Sequence, residues 1–191
     1  MIIVYIHGAN ATSESFTYIR EHIDHQDMVI NYYSADGFET NLKAMKATLE
    51  PLDRIFFVGH SLGGIYALHL ANAFPEKTAG GVTLSTPYGG SREADYAKYF
   101  LPFNQLIHDI RPHSGPIAKV KDLVLPPIWA NVVTTRSTSL WMREPNDGVV
   151  THQSMRARKD MELLDLDLNH YEVVVSNKTV DIIKNKLSNA R

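Results

Sequence analysis

Ile55-Phe56-Phe57-Val58-Gly59-His60-Ser61-Leu62-Gly63-Gly64 decides the fold. A short apolar run rich in β-branched and aromatic residues reads as a buried strand. The chain then turns at Gly59-His60-Ser61-Leu62-Gly63 and enters a helix through about Phe74, closed by Pro75. That helix is apolar nearly all round (Ile65, Tyr66, Ala67, Leu68, Leu70, Ala71), so it is expected to be buried. A G-x-S-x-G pattern occurs by chance in many chains. Between a strand and a buried helix it specifies a sharp turn that lifts the serine hydroxyl out of the sheet, beside the free N–H groups of a helix N-terminus.

Outward from this stretch, strands and helices alternate. Ile2-Ile3-Val4-Tyr5-Ile6 reads as a first strand, and residues 28–32, 81–85, 132–135 and 162–168 as others. Helices are expected over 13–25, 40–49 and 176–187, with Ser13 and Ser176 as N-caps. Tyr171 to Val175 has stronger strand propensity than the segment assigned to the last strand, but a loop there places His170 usefully. The pattern implies a mainly parallel sheet covered on both faces, a three-layer α/β/α sandwich. The 191 residues suit one domain over 1–191, with a lid or cap insertion at about 91–127 over the carboxyl end of the sheet.

Composition narrows the chemistry. Hydrophobic residues make up 44% and charged residues 21%, ordinary for a globular chain, and the formal net charge of −2 carries no basic stripe for nucleic acid. With no cysteine there is no disulfide, thiolate metal site or cysteine nucleophile. No signal peptide and no membrane-spanning stretch is read, so a cytoplasmic location is expected. Nothing matches a tight metal-ligand spacing or a nucleotide-binding glycine motif, so neither metal nor cofactor is expected.

Ser61 is the expected nucleophile. An acyl-transfer site needs two donors on the developing oxyanion; the backbone N–H of Leu62 and that of Ala9, in the His7-Gly8-Ala9 turn, are the candidates. Asp147, in Asn146-Asp147-Gly148-Val149-Val150, is the expected acid, with Asp165 and Asp167 as rivals. Among 9 histidines, His170 is the expected base because it follows the last strand, and His152 is its main competitor. Tyr88, Phe100 and Phe103 are candidate substrate contacts, though such clusters equally suit core.

With these residues quoted, the chain resembles compact lipases and esterases of the α/β-hydrolase fold. The anchors are the first strand with Gly8, Val58 to Gly63, Asp147-Gly148-Val149-Val150, Asn169-His170, and Thr86-Pro87-Tyr88-Gly89-Gly90-Ser91. The last is similar to the T-P-x-G-G-S stretch of lipase-like and GPI-inositol-deacylase-like hydrolases. The resemblance implies hydrolysis of a small-molecule or lipid ester through an acyl-enzyme on Ser61, His170 and Asp147. Thioesters and amides suit the same residues, and the fold also serves binding or regulatory modules.

Overall fold

Two of the inner strands are apolar on both faces. In β1 (Ile2–Ile6), Val4 and Ile6 join one core while Ile3 and Tyr5 join another. In β3 (Ile55–His60), Ile55 and Phe57 face the first core, Phe56 and Val58 the second. Such strands belong in a sheet interior. In the computed structural model, which describes residues 1–91, 105–136, 142 and 144–190, they are neighbours in a six-stranded sheet ordered β2-β1-β3-β4-β5-β6. The other strands are β2 (Asp27–Ile30), β4 (Thr78–Leu84), β5 (Trp129–Thr134) and β6 (Glu162–Leu166). Every pairing is parallel, so all carboxyl ends meet at one rim.

Helices cover both faces. α1 (Thr17–His22) presses Ile19 into the second core. α2 (Phe38–Leu49) buries Phe38, Leu42, Met45 and Leu49 in the first core, beside α3 (Leu62–Ala73). The expected three-layer sandwich is the arrangement observed. Among the described residues, no helix is long and apolar enough to cross a membrane.

The stretch expected to form an insertion, about 91–127, is only partly described: residues 92–104 lie outside the described set. Beyond them, α4 (Gln105–Asp109) and α5 (Gly115–Val120) lie against the first core, where Ile117 and Val120 are buried. Asp109 Oδ2 accepts the Phe38 N–H at 2.9 Å, which satisfies a free donor at the start of α2. The buried Arg158 guanidinium donates to the carbonyls of Val120 and Leu123 and pairs with Asp160 at 2.6 Å.

Several local expectations change: the strands expected over 81–85, 132–135 and 162–168 are β4, β5 and β6 with the bounds given above. The helix expected over 13–25 is a 3-10 turn, Ser13–Phe16, followed by α1, and Thr12 rather than Ser13 flanks its start. The strand expected over 28–32 is β2, which ends at Ile30. An edge strand pairs on one side only, and its partner β1 ends opposite it, at Ile6. The Tyr171–Val175 conflict resolves as a 3-10 turn, Glu172–Val175, in which Val173 and Val174 are buried. Asn169 Oδ1 accepts the N–H groups of Tyr171 and Glu172, both at 2.9 Å, and turns the chain there. The last helix is α7 (Asn177–Asn189), with Val180, Ile183 and Leu187 in the second core and no side-chain cap from Ser176.

What positions the rim is a close backbone approach. A Cβ on Gly63 would lie 2.0 Å from Ile6 O, and one on Gly64 1.9 Å from Thr86 Oγ1. The first turn of α3 therefore sits directly on the backbone at the end of β1 and against the Thr86 side chain of the loop after β4. Gly63→Ala is expected to cost about 3 kcal/mol or more, because the obstacle is backbone. Gly115→Ala meets nothing within 4 Å and is expected to be neutral or stabilising by up to about 1 kcal/mol. Urea unfolding of both variants checks the contrast.

Candidate functional site

Among the described residues, the segments that follow β1, β3, β5 and β6 supply the carboxyl rim with its polar groups. Ser61 follows β3 with φ 53° and ψ −123°, a backbone conformation that side chains rarely adopt. Its N–H donates to Leu84 O at 2.8 Å, which fixes the turn against β4. Leu62 is the first residue of α3, where no preceding turn supplies an acceptor for its N–H. The His7-Gly8-Ala9 turn leaves β1 alongside: a Cβ on Gly8 would lie 3.2 Å from Ser61 Cβ. The Ser61 hydroxyl, the Leu62 amide and the Ala9 turn thus occupy one corner of the rim.

Asp147 is fully buried in the loop after β5 and accepts four hydrogen bonds. Oδ1 takes the Val149 and Val150 N–H groups at 3.0 and 2.8 Å. Oδ2 takes the Thr134 hydroxyl at 2.5 Å and His170 Nδ1 at 2.8 Å. Burial works against the charge of this carboxyl, but the bonds from His170, Thr134 and the Val150 amide outweigh it and hold Asp147 below the ordinary carboxylate range. His170 follows β6 and is 3% exposed; its own N–H donates to Asp147 O at 3.0 Å, so the two residues are joined twice. With Nδ1–H committed to the carboxylate, the neutral imidazole keeps its lone pair on Nε2. Ser61 Oγ has no hydrogen-bond partner within 3.5 Å among the described residues, and Nε2 of His170 is likewise unpaired. The histidine–carboxylate link is closed and the serine–histidine link is open.

The rival acids are paired elsewhere. Asp165 pairs with Arg156 at 2.6 Å and Asp167 with Arg136 at 3.7 Å, both on the surface. His152 opens the short helix α6 (His152–Met155), and its Nε2 is buried without a partner among the described residues. Tyr88, expected against substrate, is 0% exposed; its hydroxyl meets Thr83 at 3.0 Å and the Trp129 indole at 3.1 Å. It is a core residue, because the loop after β4 folds it beneath the sheet end, and it presents no surface to a ligand. Phe100 and Phe103 lie outside the described residues. Among the described residues, no group of three or more histidine or acidic side chains is placed to hold a metal ion.

Two further contributions escape a linear reading. Ser85, another residue with positive φ (51°), meets Thr134 Oγ1 at 2.8 Å, so a buried chain runs Ser85–Thr134–Asp147–His170. Small polar residues at the ends of adjacent apolar strands are the available signal; that they meet depends on β4 and β5 being neighbours. The other is His60. Its Nε2–H donates to His170 O at 3.0 Å, and the two rings lie 4.8 Å apart. Its Nδ1 is buried without a partner among the described residues.

Burial, reinforced by the nearby His170, pushes the His60 imidazole from its ordinary 6.5 down to about 3. Between those values the unfolded chain takes up a proton that the folded protein refuses. Stability is therefore complete above pH 6.5 and declines as pH falls toward 3, by at most about 1.4 kcal/mol per pH unit from this group. Urea midpoints at pH 7 and 4.5 are expected to differ less in His60→Gln, whose amide keeps a donor and does not titrate.

Residues 3–162 match the α/β hydrolase family. No curated protein matches the sequence. Among solved structures, the mature form of the Bacillus licheniformis lipase BlEst2 superposes with a TM-score of 0.80 at 19% identity, covering 97% of this chain and 91% of that one. A lipase-esterase related protein from Clostridium acetobutylicum gives 0.68 at 13% identity, covering 100% and 94%. The Vlm2 thioesterase domain gives 0.60 at 14% identity, covering 96% and 94%. At these identities the superpositions speak for the fold alone, while the sequence match spans most of the length: the chain belongs to the α/β hydrolase family.

Proposed function

We propose that the protein hydrolyses carboxylic esters through an acyl-enzyme formed on Ser61. The observation that carries this reading is the buried Asp147–His170 pair, 2.8 Å apart, beside a serine held at φ 53°. In the proposed reaction, His170 Nε2 takes the Ser61 Oγ proton as the oxygen attacks the ester carbonyl. The Nδ1–H···Oδ2 bond fixes the imidazole tautomer, and the Asp147 charge stabilises the imidazolium that forms. The Leu62 and Ala9 N–H groups receive the oxyanion. His170 then returns its proton to the leaving alcohol and activates the water that releases the acid. The open serine–histidine link fits this sequence, since such bonds commonly tighten only when substrate arrives.

Thr134 and His60 serve as positioning residues in this scheme. Thr134 disperses the Asp147 charge that His170 feels, and His60 holds the His170 backbone. Neither a metal nor an organic cofactor enters the reaction, and the substrate is a small-molecule or lipid ester. Absence of cysteine fits a reducing compartment, and the cytoplasm is the proposed location.

A fluorophosphonate probe is expected to label the wild-type protein at Ser61 and to leave Ser61→Ala unlabelled. An unlabelled wild type would make the chain a binding module. Against p-nitrophenyl esters, Ser61→Ala is expected to fall to background and Asp147→Asn to lose up to about 10⁴-fold in kcat. A parallel series of thioesters and amides tests whether oxygen esters are preferred. In Thr134→Val, Asp147 loses a donor and attracts the His170 proton more strongly. The acidic limb of kcat/KM is expected to move to higher pH, and Thr134→Ser to restore it.

A further inference from the structure

The loops that leave β1 and β2 are stapled to each other by side chains. Ser34 Oγ accepts the Asn10 N–H at 3.1 Å, and Asn31 Oδ1 accepts the Ser13 N–H at 3.0 Å. The Tyr32 hydroxyl donates to His7 O at 3.0 Å while the two rings stack with centroids 4.5 Å apart. Asn41 Nδ2, on α2, donates to Tyr33 O at 2.8 Å. Between the loops lies a cleft of about 550 Å³, whose lining includes His7, Asn10, Thr12, Asn31, Tyr33 and Ser34. It borders the rim corner described above, because Gly8, next to His7, abuts Ser61.

The chemistry of this lining is narrow. Among the described residues, no carboxylate, ammonium or guanidinium lines the cleft, and burial holds its one imidazole, His7, below its ordinary pKa. What remains is neutral hydrogen-bonding capacity. The Asn10 side chain, Asn31 Nδ2, the Thr12 hydroxyl and the Tyr33 hydroxyl have no protein partner among the described residues. Tyr33 is 80% exposed and offers a flat apolar face with a hydroxyl at its edge. Asn10 sits at φ 55°, so its amide is carried by a backbone conformation fixed through Ser34. An anionic or cationic ligand would find no counterion here. An acyl chain would strip water from four groups and return no bond. A moiety with closely spaced hydroxyls offers donors and acceptors together and has C–H faces for the tyrosine ring.

We infer that this cleft takes a neutral, hydroxyl-rich portion of the substrate, a polyol or a sugar esterified to the acyl group that Ser61 attacks. The inference rests on the ester reading above and adds the substrate class. Its test compares kcat/KM for the glucosyl, glyceryl and methyl esters of one short acid. The wild type is expected to favour a hydroxylated ester over the methyl ester by roughly tenfold, because groups placed for hydroxyls are left unpaired by a substrate lacking them. Preference for the glucosyl ester identifies a sugar, and preference for the glyceryl ester a glycerol unit. Tyr33→Ala and Asn10→Gly, the latter keeping the positive φ, are expected to bring the ratio toward one, chiefly through KM. Equal rates on all three esters in the wild type, or an unchanged ratio in both variants, would overturn the inference. If no ester is cleaved, the ester reading fails while the cleft stays testable. Methyl glucoside and glycerol titrated into Ser61→Ala protein are then expected to shift the amide resonances of residues 10–12 and 31–34. Shifts absent at the highest soluble concentration would sink it.

Discussion

Two backbones meet without side chains between them where α3 begins, and the rest of the rim follows from that contact. The end of β1 and the loop after β4 both come within a Cβ's reach of the first turn of α3. Only because they do can the chain leave β3, reverse at Ser61 and re-enter as a helix without opening the sheet. The strained φ of Ser61 is held by the Leu84 carbonyl and by this packing together. Once the turn is fixed, parallel strand order does the remaining placement. Residues that follow β1, β3, β5 and β6 arrive at the same edge because every strand points the same way.

Burial has opposite results at three neighbouring groups, and hydrogen-bond partners decide which. Asp147 is sealed from water yet stays charged, because four donors replace the lost hydration. His60 is equally sealed but finds one acceptor and no carboxylate, so it is held neutral. His7 is held neutral as well and packs its ring on Tyr32. Of these three groups only the carboxylate keeps a fixed charge, and it is bonded to His170.

The fold was legible because its signals are local. Apolar runs in which both faces are greasy mark interior strands, and glycines flanking a serine mark a tight reversal. Asp147 and His170 were legible from their places after the last two strands and from the familial likeness of their surroundings. What stayed hidden depends on neighbours distant in sequence. Ser85 and Thr134 become a hydrogen-bonded chain only when β4 lies beside β5. Tyr88 looked like a ligand contact because an aromatic in a glycine-rich loop is ambiguous; its partners Thr83 and Trp129 settle it as core. Strand propensity runs on through residues 31 and 32, past the end of β2, because propensity carries no knowledge of where β1 stops. The polar cleft arises from that early ending.

Arg158 gives the molecule an asymmetry. Its sealed guanidinium clasps two carbonyls behind α5 and a carboxylate just before β6. Pulling any one of these away would leave a buried cation short of acceptors, so residues near 120 and near 160 move as one body or not at all. The flank of the sheet that bears β6 is thereby a rigid anvil. On the opposite flank β2 is short, and among the described residues the side-chain bonds that tie its trailing loop to the loop after β1 join neutral groups.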